Sequence, residues 1–442
     1  LIGVANPQGT LLTWLVGGAG ALMLALVFVY LAGRKPELKS GVYAYARDGF
    51  GDYMGFNSAW GYWSVGWLGN VSYMALFFKT LNDLLGPHAL SPLHSFLIGS
   101  AILWFYYFVL LAGVKEGAIL NFVVTAAKLI PIVLIIALAP AIFDRELFQV
   151  PDWQWKLAST EEPTTPLRQV GSAMAIVLWC FVGIEAATVL SGRAREQKTV
   201  RTATVISTLF VLGIYMLITL LAMGGVPAEE LASSETPLAL LLERTVIGTT
   251  GGVIIKLGIM VSVLGASLSW ILLSVETMYA AARDGVMPRR LAKVNAKGTP
   301  VNALLLTQCF TQVFLLSILS PQLNRTYLAA ITIGTTLVLI PYFLSSLYAV
   351  KVALRYRTTE KTGRNLFVAL LGTIYSLYVI YAVGVEYLFL SVLFYGIGSL
   401  LYLRAKREKK ERPKPWEWTV IILLLTGATW IAVLLVTGKI LL

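Results

Sequence analysis

The stretch Ala175-Ile-Val-Leu-Trp-Cys-Phe-Val-Gly-Ile-Glu-Ala-Ala-Thr188 decides how the rest of this 442-residue chain is read, because it sets a lone carboxylate, Glu185, in an otherwise uncharged apolar segment. That segment runs from about residue 170 to residue 190, long enough at 1.5 Å per residue to cross a bilayer. A carboxylate at mid-membrane costs roughly 2.5 to 3.5 kcal/mol on insertion scales, so Glu185 marks a functional position by default. Just before it, Phe181-Val-Gly-Ile184 joins a glycine to β-branched neighbours, a set of poor helix formers that predicts a local break in the helix. A broken membrane helix beside a charge is the arrangement with which secondary transporters bind solutes near the bilayer midplane.

Outward from that stretch, composition sets the class. With 57% hydrophobic and 13% charged residues and a mean hydropathy of +0.75, the chain reads as an all-α polytopic membrane protein. Cys180 and Cys309 both lie in apolar runs, which excludes a disulfide framework and a metal cluster; His88 and His94 share one short connection, which argues against haem ligation inside the membrane. No cofactor is expected.

Apolar runs of spanning length fall near 11–32, 55–80, 94–114, 119–142, 169–191, 201–225, 251–281, 300–319, 328–350, 365–384, 387–404 and 416–437, twelve in all. Every second connection is basic, beginning with Arg34, Lys35, Lys39 and Arg47 and ending with the run from Arg404 to Lys414; those between are short or acidic, as with Glu229, Glu230 and Glu235. The basic connections therefore face the cytoplasm. The net charge of +12 is accounted for by this topogenic role, and nucleic acid is excluded as a partner. In this orientation Leu1 lies outside with only about ten residues before the first span, so a further helix is expected upstream of residue 1.

Several polar or aromatic residues stand out inside the spans. Asn70 needs partners for its amide, either across helices or on a ligand, and Tyr62 and Trp63 lie two turns earlier, so part of this aromatic set shares its face. Lys128, about nine residues into its span and one turn before Pro131, is too deep for easy snorkelling and reads as a structural cation or one at an ion-coupling position. Lys256, near an outer end, is expected to snorkel. Trp270 follows the small run Gly265-Ala-Ser267, which admits a close neighbour; Glu276 lies nearer the cytoplasm, on an exit path or in an interfacial ion pair. Thr335 and Thr336 place hydroxyls before Pro341, either for a ligand or bonded back to their own helix.

Taken together, Arg34-Lys-Pro-Glu-Leu, Gly41-Val-Tyr-Ala-Tyr-Ala-Arg, Gly51-Asp-Tyr-Met-Gly-Phe, Ser58-Ala-Trp-Gly-Tyr-Trp, Trp67-Leu-Gly-Asn70, Gly183-Ile-Glu185, Leu264-Gly-Ala-Ser-Leu-Ser-Trp270 and Leu339-Ile-Pro-Tyr342 resemble the basic amino acid/polyamine antiporters of the amino acid, polyamine and organocation transporter superfamily, and within it the bacterial arginine/ornithine antiporters. The resemblance covers essentially the whole chain. It implies a five-plus-five inverted-repeat fold with added C-terminal helices, the first visible span matching the family's second. Residues 1–350 then form the transporter core without the first family helix, whose glycine-rich break binds the α-carboxylate and α-amine, and residues 351–442 the remaining helices.

The same resemblance implies a substrate site formed by Asn70, Trp67, Trp179, Trp270, Thr335, Thr336 and the unwound segment with Phe181, Gly183, Ile184 and Glu185. Trp179 gates from outside, Trp270 packs on the alkyl chain, and Asn70 with the two threonines receives the guanidinium or amine. Tyr62, Lys128, Glu185, Trp179 and Glu276 serve gating and coupling, with Lys128 in place of a sodium ion. The implied function is exchange of arginine for ornithine by alternating access across the bacterial cytoplasmic membrane. A lysine or arginine exchanger coupled to a polyamine or to protons is the alternative. The expected partners are a small cationic amino acid, the bilayer and, as an allowed assembly, a second copy in a homodimer.

Two other classes are weighed. An enzyme would need a nucleophile–histidine pair, a metal-ligand cluster or a phosphate-binding glycine loop, and the sequence has none. A channel or scaffold shares the same hydropathy, and counterflow distinguishes it from a carrier.

Overall fold

The computed structural model describes residues 1, 4–113, 129–148, 156–157, 160–163, 165–186, 197–320, 323–356 and 362–437. Three helices open on the same local chemistry, a capping side chain followed by proline. Asn6 accepts the Gly9 N–H at 2.7 Å to start α1 (Pro7–Arg34), Ser91 accepts from His94 at 3.4 Å to start α4 (Pro92–Ala112), and Thr165 accepts from Arg168 at 3.3 Å to start α6 (Pro166–Phe181). Between them lie α2 (Gly41–Phe50), α3 (Asp52–Leu85) and α5 (Leu129–Ile142). There follow α7 (Gln197–Gly225), α8 (Gly248–Arg283), α9 (Val301–Leu315), α10 (Leu323–Arg355), α11 (Thr362–Val383), α12 (Val385–Glu408) and α13 (Pro415–Val436). The one sheet among the described residues is a short antiparallel hairpin, Lys156–Leu157 against Thr160–Pro163, in the connection before α6.

Nine of the described helices are long and apolar enough to cross a membrane. Of the twelve runs read from sequence, three differ. The run at 119–142 is described only from Leu129, so Lys128 lies outside the described residues. In the run at 169–191 the helix is interrupted after Phe181, and residues 187–191 lie outside the described residues. The run at 55–80 forms α3, whose polar and aromatic content keeps it from reading as apolar, yet every residue from Gly55 to Ser72 is buried. α3 packs on α8 and α10, so its surroundings are protein rather than lipid. Several of its polar groups are met internally: Ser58 donates to the Val42 carbonyl, Trp60 to the Phe394 carbonyl and Trp63 to Thr307, each at 2.9 Å. By contrast α11 and α13 show apolar side chains outward, among them Phe367, Ile374, Ile422 and Leu423.

Ion pairs gather at the two ends. On the outer side Lys256 pairs with Asp83 at 3.0 Å and Glu243 at 3.7 Å, and Lys79 with Glu235 at 3.0 Å. Lys256 is thus fixed to carboxylates instead of snorkelling free, because the end of α3 brings Asp83, and the connection between α7 and α8 brings Glu243, within reach.

Candidate functional site

The break in α6 falls where the sequence places it. After Phe181 the backbone turns extended at Val182, and Gly183 takes φ +113°, a region that residues with a Cβ rarely adopt. Glu185 then folds back on its own chain. Its Oε2 accepts the Gly183 N–H at 3.1 Å and the hydroxyl of Tyr342, which follows Pro341 in α10. The Tyr342 hydroxyl also lies 3.4 Å from the Gly183 nitrogen. Glu185 and Tyr342 are both fully buried, so this carboxylate ties the broken strand of α6 to α10 while remaining mid-membrane. Tyr62 of α3 turns its hydroxyl toward the same carboxylate.

Two tryptophans flank the break. Trp270 of α8 is buried, its ring 6.1 Å from that of Tyr62 and 3.5 Å from where a Cβ on Gly183 would stand. Trp179, one turn before the break on the outer side, lies between Gly69 of α3 and Gly334 of α10; a Cβ on Gly334 would come within 2.9 Å of its ring. α8 reaches α3 this closely because Gly66 has no side chain to meet Ser274 and the Trp270 carbonyl. Tyr62, Glu185, Tyr342, Trp179 and Trp270 thus converge from four helices on one unwound segment. Chemically this is a carboxylate with hydroxyls and ring faces around it, a set suited to a cation that carries an alkyl chain.

Other residues expected at the site are placed differently. Asn70 donates to the Gly66 carbonyl of its own helix at 2.7 Å and accepts from Ser267 of α8, so it joins α3 to α8. Thr335 reaches across to the Ala175 carbonyl of α6 at 3.5 Å, whereas Thr336 bonds back to Thr332 at 2.8 Å. The Trp67 ring packs among Phe310, Phe314 and Phe394, toward α9 and α12. Phe181 turns its ring to Trp14 and Tyr215, toward α1 and α7, and gives the break only its carbonyl, which accepts the Ile184 N–H at 3.2 Å. Glu276 lies half-buried about 9 Å further along α8 than Trp270, beside a small cavity with Leu110 and Thr299. Two partners had no assigned role in the sequence reading, Tyr342 and Ser267. For Tyr342 a signal existed, since a tyrosine deep in a span needs a partner for its hydroxyl.

Comparison with known proteins places this geometry in context. The profile of the family described as amino acid permease matches residues 1–386. The arginine/ornithine antiporter of Pseudomonas aeruginosa is 40% identical over 416 residues, covering 91% of this chain and 85% of that protein. The arginine/ornithine antiporter of Latilactobacillus sakei is 32% identical over 443 residues, covering 100% of this chain and 92% of that protein.

Proposed function

Since the chain belongs to the amino acid permease family, we propose that it exchanges cationic amino acids, arginine against ornithine, with Glu185 as the counter-charge to the substrate's side chain. It is a multi-pass protein of the bacterial cytoplasmic membrane, with residues 1–350 as its transporter core and 351–442 as accompanying helices. The observation that carries the reading is the buried carboxylate of Glu185 at the break in α6, between Trp179 and Trp270. A side-chain cation there offsets a charge that is otherwise costly at mid-membrane.

In this arrangement Trp270 lies under the alkyl chain and the ring faces attract the guanidinium. A guanidinium only donates, so it needs acceptors; the Asn70 carbonyl oxygen keeps one lone pair beyond that used by Ser267. Trp179 closes the outer side, and Lys128 acts as a fixed cation in the coupling position. Trp67, Phe181 and Thr336 support the walls rather than touch substrate.

Binding to the purified protein tests the charge. Arginine and ornithine should compete with labelled arginine at least tenfold better than citrulline, which has the shape of arginine without its charge. Asn70→Ala and Trp270→Ala should each weaken arginine by roughly 1 to 3 kcal/mol. Citrulline competing as well as arginine removes the counter-charge role of Glu185; unchanged arginine affinity in both variants removes Asn70 and Trp270 from the site.

A further inference from the structure

A second site lies away from Glu185, between the cytoplasmic ends of α1 and α11. Within the membrane these antiparallel helices approach closely: the Gly20 position abuts the Tyr375 ring, and a Cβ on Gly372 would come 3.1 Å from Val27. Toward the cytoplasm they diverge and leave a groove of about 450 Å³ lined by Leu26, Val29, Tyr30, Arg34, Arg364 and Val368, with Gly33 and Asn365. Leu26, Val29, Tyr30, Gly33 and Arg34 share one face of α1 at helical spacing, so the groove runs about 12 Å from an apolar floor to a cationic mouth.

Among the described residues no acid is paired with the positive charge at the mouth. Arg364 sits in the first turn of α11, at the positive end of its dipole, where no acidic residue is present. Arg34 is held with its guanidinium 4.0 Å over the Tyr356 ring. Neither arginine forms an ion pair with an acid among the described residues, and both are exposed. Two guanidiniums lining one groove, one of them in the first turn of a helix, suit a phosphate, and the apolar length below them suits an acyl chain.

The geometry points to a binding site for an anionic glycerophospholipid, its phosphate between Arg34 and Arg364 and an acyl chain along Leu26, Val29 and Val368. The apolar floor favours the lipid over a free phosphate as the source of the anion.

The test uses purified, delipidated protein, with thermal unfolding followed after adding phosphatidylglycerol, phosphatidylcholine or inorganic phosphate, and with retained lipid counted by native mass spectrometry. Phosphatidylglycerol should raise the midpoint by several degrees and remain bound, and the other two additions should do neither. Arg34→Gln with Arg364→Gln should abolish the shift. Equal stabilisation by phosphatidylcholine, full stabilisation by inorganic phosphate alone, or a shift that survives in the double variant each overturns the proposal. Should the double variant fail to fold, Arg364→Gln alone decides: its side chain is exposed, and it should lose at least half the shift and the retained lipid.

Discussion

Glu185 has a structural role and, in the proposed exchange, a charge-bearing one, and one substitution separates them. Glutamine keeps an oxygen to accept the Gly183 N–H and the Tyr342 hydroxyl but removes the charge. Glu185→Gln should therefore stay folded, with a thermal midpoint near that of the wild type, while the pH dependence of exchange between pH 5 and 9 changes. A folded variant with wild-type rate and an unshifted profile would show that the carboxylate does not take part in exchange. Gly183 is tested separately. In Gly183→Ala the new Cβ has room, with Trp270 3.5 Å away, so the cost comes from holding alanine at φ +113°, about 1 to 3 kcal/mol. The variant should lower the midpoint accordingly, and an unchanged midpoint would mean that the turn relaxes freely. The break and the acid were legible because both are local signals: a charge in an apolar run, and a glycine among β-branched residues. Their partner Tyr342 is 157 residues away, and no local pattern pairs it with Glu185. For Asn70 the sequence left open an interhelical bond or a ligand; the bond to Ser267 is there, and one lone pair remains for the other.

At the scale of elements, the basic connections do more than set topology. The cytoplasmic ends of α2, α3, α8 and α12 are tied by Arg47 to Asp52 at 3.0 Å, Arg47 to Asp284 at 2.9 Å and Lys406 to Asp52 at 3.1 Å. Burial opposes ionisation of Asp52, but hydrogen bonds from Arg47 and Lys406 outweigh it and hold the carboxyl below the usual carboxylate range. A depressed pKa in the folded state gives stability that is present above the unfolded value, about 4, and is lost as pH falls through the folded one. Asp52→Asn should therefore cost roughly 1 kcal/mol at pH 7, and its midpoint should converge on the wild type below about pH 4. A gap that stays constant from pH 7 to pH 3 would assign the loss to packing instead. From sequence this region reads as a basic cytoplasmic connection, with no helix marked within it. The run Val42-Tyr-Ala-Tyr45 carries the buried face of α2, but ten residues are too few for periodicity to stand out beside the basic charges. α3 was legible as a span but not as the buried centre of the bundle, because burial all round depends on α8 and α10 and leaves no single apolar stripe.

For the whole molecule, the charge on Glu185 offers a reason why a carrier built this way should exchange rather than leak. With a cationic side chain bound, the carboxylate is offset; empty, the carrier must reorient with that charge uncompensated. On the proposed role of Glu185, if the roughly 2.5 to 3.5 kcal/mol cost of a charge at mid-membrane is met in passing through the occluded state, return of the empty form should be slowed about a hundredfold relative to the loaded form. Ties at both ends, the Lys256 and Lys79 pairs outside and the Arg47 and Lys406 pairs inside, would open in turn during such a cycle. A channel has no such asymmetry between loaded and empty forms. The direct measurement is counterflow: protein in liposomes preloaded with ornithine or left empty, with labelled arginine added outside. Uptake into ornithine-loaded liposomes should be at least tenfold faster than into empty ones, whereas equal uptake with and without internal ornithine would contradict exchange.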